Sequence, residues 1–379
     1  MRVKTSSKYL YLYSLCIFLV AQVLFTGVYW NGALQGVFNS TAQLLLRVAW
    51  VLLVIALIKN KTVRNRKTLL WLTAILIFYV SYRVAHDNTL FYGMLFAILA
   101  GVFELDFGDI IKTYYYTLVF CVIVLILASI SGLAQDRLYT FTYGIGHTVG
   151  MAHPNNIAAL LMNIVFLSVY LFLRKRIVFA SLIVAICAYV TYRLTVSRTV
   201  LVAMLALAVF LLLLKCMRLV KSDKLFNVLR ISVFLLFALS FYFTFAYEQM
   251  SNSLMNDTNF WVRFNQGYRI YKQYGIHLLG NNIEFVKVAE STMQKKAVIL
   301  DNGYLNLLLH FGILPSLIYA VFVARFMKKL TENKEYVLLG ISALFLICGF
   351  MEKSIYTIQY CFIMLGMFTS IYKERGNEE

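Results

Sequence analysis

Long apolar runs, separated by short polar connections, fill the chain from one end to the other. A run of about 20 apolar residues is long enough to cross a bilayer as a helix. Twelve such runs stand out, at residues 9–29, 39–58, 68–85, 89–105, 114–133, 154–173, 177–193, 198–215, 229–248, 304–325, 336–351 and 354–372. Pro occurs only twice, so these runs are expected to be mostly unbroken helices. The pattern predicts an all-α integral membrane protein of about twelve transmembrane helices. It forms a single polytopic domain over residues 1–379, with one large extracytoplasmic loop at about 249–303 before the last three helices.

Composition agrees with that pattern. The chain is 61% hydrophobic and 14% charged, against roughly 45–50% and about 25% for a soluble domain. Disorder, collagen, coiled coil and a disulfide-rich secreted fold are excluded. Cys16, Cys121, Cys187, Cys216, Cys348 and Cys361 all fall in spans or at a cytoplasmic end, so no structural disulfide is expected.

The net charge of +18 would suggest nucleic acid on a soluble protein. Here the basic residues concentrate in alternate connections, such as Lys59, Lys61, Arg64, Arg66 and Lys67, then Arg174, Lys175 and Arg176. With a cytoplasmic N-terminus, about two-thirds of the 35 Lys and Arg lie inside. The charge therefore reads as orientation. Both termini are predicted cytoplasmic, and no nucleic acid partner is expected. The first run follows a basic segment, as in a signal peptide, but lacks a clean cleavage site and is expected to be retained.

Two outside segments hold most of the remaining polar residues, 134–153 and 249–303. Within the second, Trp261, Phe264, Tyr268 and Tyr271 recur at helical spacing, which predicts an amphipathic helix. Ionisable residues at membrane edges are costly and are candidates for function. Arg193 and Arg198 bracket a short outer turn, RLTVSR. Paired guanidiniums there can grip a phosphate, or simply anchor the interface. Asp301 opens the run DNGYLNLLLHFGILP, either as a helix cap or as a general base. His153 precedes Pro154 and Asn155, a helix-start pattern that also points a histidine and an amide outward. His310 lies deeper in the same run as Asp301 and is expected to be a packing or hydrogen-bonded residue. No phosphate-binding loop, GxGxxG, HExxH or CxxC pair is present, so nucleotide hydrolysis, nicotinamide chemistry and zinc proteolysis have no support.

Four segments together resemble one family. They are GMAHPNNIAALL at 150–161, TVSRT at 195–199, WVRFNQGYRIYKQYGIHLLGNN at 261–282 and DNGYLNLLLHFGI at 301–313. Their order and spacing are similar to the O-antigen ligase and Wzy-type polysaccharide polymerase family, whose members carry about twelve spans and one large late outside loop. The resemblance covers residues 140 to 315. It implies polymerisation of oligosaccharide repeats carried on a polyprenyl diphosphate, at the outer face of a bacterial plasma membrane.

By that resemblance Arg198 and Arg263 hold the diphosphate, with Arg269 an equal alternative to Arg263. Asp301 stands where the ligase branch has a histidine base, which points toward a capsule or O-antigen polymerase. Arg193, Arg269, His153, Asn155 and Asn302 are expected to contact the substrate. No metal or cofactor is implied. Chain-length regulators and flippases are the implied protein partners. The rival readings are a ligase, a lipid-linked oligosaccharide flippase and a non-enzymatic scaffold. The transporter reading is disfavoured because no internal repeat and few Gly- or Pro-broken helices are visible.

Overall fold

A computed structural model describes residues 2–32, 34–60, 66–216, 223–250, 259–285 and 300–369. The protein is a helical membrane protein. Among the described residues six helices are long and apolar enough to cross a membrane: Ser6–Thr26, Leu34–Lys59, Phe107–Ile130, Pro154–Leu173, Ile177–Thr195 and Arg198–Cys216. Four shorter apolar helices, Leu70–Ala85, Thr89–Val102, Phe234–Tyr247 and Tyr336–Cys348, accompany them.

In chain order the helices are α1 (Arg2–Val20), α2 (Leu34–Lys59), α3 (Arg66–Ala85), α4 (Thr89–Val102), α5 (Phe107–Ile130), α6 (Pro154–Ser168) and α7 (Ile177–Thr195). They continue as α8 (Arg198–Cys216), α9 (Asp223–Met250), α10 (Asn259–Tyr274), α11 (Gly303–Asn306), α12 (Ile313–Glu332), α13 (Tyr336–Cys348) and α14 (Ile363–Gly366). Through α9 the expected spans match these helices closely. Large apolar side chains such as Leu70, Ile130, Leu182 and Val202 remain exposed on the outside of the bundle, as a lipid-facing surface requires.

Two expected spans are not continuous helices. The run 304–325 forms α11 and a π-helical turn, Leu307–Phe311, then breaks at Gly312 (φ 99°, ψ 172°) before α12. The break is made by a neighbouring segment. A Cβ on Gly312 would collide with the backbone nitrogen of Gly280, and one on Gly280 with the carbonyl of His310. Only glycines allow the two backbones to meet at these positive φ angles. The polar groups freed by the break find partners in the same segment. Ile313 N donates to the His277 carbonyl at 3.0 Å, Leu314 N to Leu278 at 3.0 Å, and Asn281 N to the His310 carbonyl at 2.9 Å. Ser81 Oγ donates to the Phe311 carbonyl at 2.8 Å.

The run 354–372 is replaced by a 3₁₀ turn, Lys353–Tyr356, further turns and the single turn of α14. Non-helical backbone survives in a bundle only when protein groups satisfy it. Buried tyrosines do so here: Tyr114 donates to the Ile358 carbonyl at 2.8 Å and Tyr319 to Ile355 at 2.7 Å. Tyr304 donates to Leu346 at 2.5 Å.

The fold also departs from purely α in the segment 134–153. An antiparallel hairpin forms from β1 (Leu138–Phe141) and β2 (Gly144–His147), with Phe141 opposite Gly144. Asp136 braces its base. Its Oδ1 accepts from Val149 N at 2.8 Å and its Oδ2 lies 2.6 Å from His147 Nδ1. The hairpin lies over the α7–α8 turn, where a Cβ on Gly146 would come 2.6 Å from the Thr195 carbonyl.

The predicted amphipathic helix of the large loop is α10. Phe264, Gly267 and Ile270 are buried on one face, while Val262, Arg269 and Lys272 are exposed on the other. Phe264 packs on Phe243 and Phe350. The Trp261 side chain, loop residues 251–258 and 286–299, and the tail from 370 lie outside the described residues.

Candidate functional site

Polar side chains that are far apart in sequence converge where α6, α8, α10, α11 and the turn after α13 meet. Each is placed by a local rule. Pro154 starts α6, and His153 caps it by accepting from Asn155 N at 3.1 Å through Nδ1. Val196 in the left-handed region (φ 56°) reverses the chain between α7 and α8, setting Arg198 at the first position of α8. Its guanidinium lies 3.3 Å from the centre of the Tyr143 ring, in the hairpin turn. Arg263, on α10, donates from Nη1 to the Met351 carbonyl.

The centre of the cluster is Glu352, between α13 and the 3₁₀ turn. Asn155 Nδ2 donates to its Oε1 at 3.2 Å, and the Thr199 hydroxyl also bonds to it. Burial pushes its carboxyl up to about 7. The nearby Asp301 adds to that rise, while Arg263, Thr199 and Lys353 pull against it. Asp301 and His153 are neighbours as well. Burial lowers the His153 pKa, and the Asp301 charge opposes that shift. The segment carrying Asp301 abuts the Glu352 turn, with Gly303 N donating to the Gly349 carbonyl at 2.8 Å.

Below this cluster an apolar groove of about 560 Å³ runs between α8, α9 and α13. Arg198, Thr199 and Met351 line it at the cluster, and Ala206, Leu236 and Leu344 line it further along. From Arg198 to Ala206 it follows α8 for about 12 Å at the helical rise. Val202 and Ile347, 65% and 51% exposed, leave its side open.

The structure thus gathers Arg263, Asp301, His153 and Asn155 about Glu352, with the exposed Arg198 at the adjoining end of the groove. It does not gather the others. Asn302, expected to contact substrate, is fully buried and is the cap of α11. Its Oδ1 accepts from Tyr304 N and Leu305 N, both at 3.0 Å, and its Nδ2 donates to Ser240 Oγ at 3.3 Å. Asn302, not Asp301, is therefore the cap, and Asp301 lies near His153 and Glu352. Arg269 is exposed on the face of α10 opposite Phe264, and Arg193 is exposed on the last turn of α7.

Sequence reasoning missed Glu352, Thr199 and Tyr143. A signal for Glu352 existed, an acid inside the apolar stretch CGFMEKSIY. His310 is 2% exposed and packs against the Phe285 and Phe311 rings. Its Nε2 lies 3.6 Å from Asp87 Oδ2. Among the described residues, no group of three or more His, Cys, Asp and Glu is placed to hold a metal ion. Comparison with known proteins finds no matching family model, no similar curated protein and no similar solved structure.

Proposed function

We propose that the protein joins oligosaccharide repeat units carried on a polyprenyl diphosphate, as a membrane glycosyltransferase of the polysaccharide polymerase type. The observation that carries this reading is the apolar groove with Arg198 at its end. An open apolar channel suits an isoprenoid tail, and a guanidinium suits the diphosphate attached to it. Arg263 lies across the same cluster, beside Glu352. In glycosyl transfer the bond from the anomeric carbon to the diphosphate breaks, and fixed arginines stabilise the departing negative charge. The acceptor hydroxyl passes its proton to a carboxylate. The sequence motif DNGY suggests Asp301 for that role.

In this reading the chain crosses a bacterial plasma membrane about twelve times, with both termini in the cytoplasm and the cluster on the outer side. Helix α10 of the segment 249–303 packs against it through Arg263 and Phe264. The interrupted runs 304–325 and 354–372 are two of those crossings. Chain-length regulators and flippases are its partners.

The test is polymer formation from purified lipid-linked repeats in proteoliposomes. Arg198→Ala and Arg263→Ala should each stop polymer growth and leave single repeats on the lipid. Arg269→Ala, on the outward face of α10, should have a smaller effect. Long polymer from both of the first two variants would refute the reading.

The broken helices favour one rival, a transporter of lipid-linked oligosaccharide, because such helices build transport sites. A transporter would move labelled repeats across the proteoliposome membrane and never join them.

A further inference from the structure

Within the glycosyl-transfer reading, and resting on it, we infer that Glu352 rather than Asp301 accepts the proton of the acceptor hydroxyl, and that Asp301 tunes Glu352. Position is the first argument. A base must stand beside the anomeric carbon, and that carbon hangs from the diphosphate. Glu352 is tied to the polar end of the groove from two sides. It follows Met351, which lines the groove and whose carbonyl holds Arg263. It also bonds to Thr199, the groove residue next to Arg198. Asp301 is not among the residues that line the groove. Its electrostatic neighbours are His153, Glu352 and Tyr356.

Orientation is the second argument. The Asn155 amide donates to Oε1, which fixes the carboxylate before substrate arrives. Asn155 is itself held at the start of α6 by the His153 cap.

Charge is the third. The groups facing Glu352 are Arg263 from α10, Asp301 from the start of α11, its neighbour Lys353 and Cys348 from α13, with the neutral Thr199 and Asn155 from α8 and α6. Burial and Asp301 raise its proton affinity, and the cations limit the rise, leaving it near neutral. A base of that strength is matched to work at neutral pH.

The step balances as follows. The acceptor oxygen forms a bond to the anomeric carbon. The bond from that carbon to the diphosphate oxygen breaks, and its electron pair leaves on the diphosphate, toward Arg198 and Arg263. The acceptor proton moves to Glu352 and passes to water when product departs.

The experiment is the rate of joining against pH, from pH 5 to 9, with donor binding measured in parallel. Wild type should show an acidic limb governed by one group. Glu352→Gln should lose about 10²–10⁴-fold in rate while still binding the lipid-linked donor. Glu352→Asp should recover part of that rate, which also covers the case in which the glutamine variant fails to fold. Asp301→Asn removes a negative neighbour, so it should move the acidic limb to lower pH. Normal rate in Glu352→Gln, or loss of the limb only in Asp301→Asn, would overturn the assignment and leave the glycosyl-transfer reading standing. Wild type that joins no repeats at any pH would overturn both.

Discussion

Replacing Asn302 with alanine separates two roles that the same residue cannot both fill. In the structure the side chain is a buried cap, with Tyr304 N and Leu305 N on its oxygen and Ser240 Oγ on its amide. Losing an asparagine cap costs about 1 kcal/mol, up to about 2. Stranding the buried Ser240 hydroxyl adds about 1 kcal/mol. Asn302→Ala should therefore destabilise by about 2–3 kcal/mol, while Asn302→Ser, which keeps an acceptor for the cap, should lose roughly half of that. Thermal or denaturant unfolding in detergent would measure the series. Joining rate and donor affinity would be followed on the fraction that remains folded. A substrate ligand would behave in the opposite way, with normal stability and a raised KM. Equal stability of wild type, serine and alanine forms, within 0.5 kcal/mol, would refute the cap.

Gly280→Ala should destabilise by well over 1 kcal/mol, because a Cβ there meets the His310 carbonyl at a backbone angle alanine rarely adopts; yield and melting temperature check it. Tyr143→Ala removes the ring under Arg198, an interaction of about 0.5–1 kcal/mol. It should raise KM for the lipid-linked donor a few-fold with unchanged melting temperature. Asp136 is held below its usual range because burial, which raises it, is outweighed by His147 and by the backbone of Val149 and Thr148. A depressed carboxylate stabilises above its unfolded pKa of about 4 and loses that contribution as pH falls through its folded value. Hydrogen exchange of the hairpin should therefore speed up below about pH 4 in wild type, and Asp136→Ala should show the faster exchange already at pH 7.

Hydropathy made the first nine helices legible, because length and apolarity alone decide them; six of these are long and apolar enough to cross a membrane among the described residues. The amphipathic α10 was equally visible in the spacing of Phe264, Tyr268 and Tyr271. The breaks after Phe311 and Cys348 were not. The break after Cys348 sits in an apolar run without proline, while the run broken after Phe311 carries Gly312 and Pro315; the two depend on the hydroxyls of Tyr114 and Tyr319 and on Gly280 respectively, all distant in sequence. The arginines were legible because, in the orientation expected from the Lys and Arg pattern, they fall on the side that carries fewer basic residues. That Arg263 turns toward the Met351 carbonyl while Arg269 faces outward depends on the buried face of α10, which aromatic spacing alone does not orient. Glu352 was hidden for a related reason. Its significance lies in Asn155 and Thr199, which approach it only after α6, α8 and α13 have packed.

The interruption at Gly312 also bears on how the protein is made. Alone in lipid, residues 303–332 have no partner for the backbone groups freed at that glycine, and leaving them bare costs several kcal/mol each. The half that precedes the break, Gly303 to Phe311, is also too short to reach across a bilayer, at about 14 Å against about 30 Å. In the proposed twelve-crossing topology the stretch therefore enters the membrane as one straight hydrophobic segment. It bends later, when residues 277–281 dock against it and take over its hydrogen bonds. The broken helix is thus a product of assembly, and insertion machinery that reads only hydrophobic length meets an ordinary span.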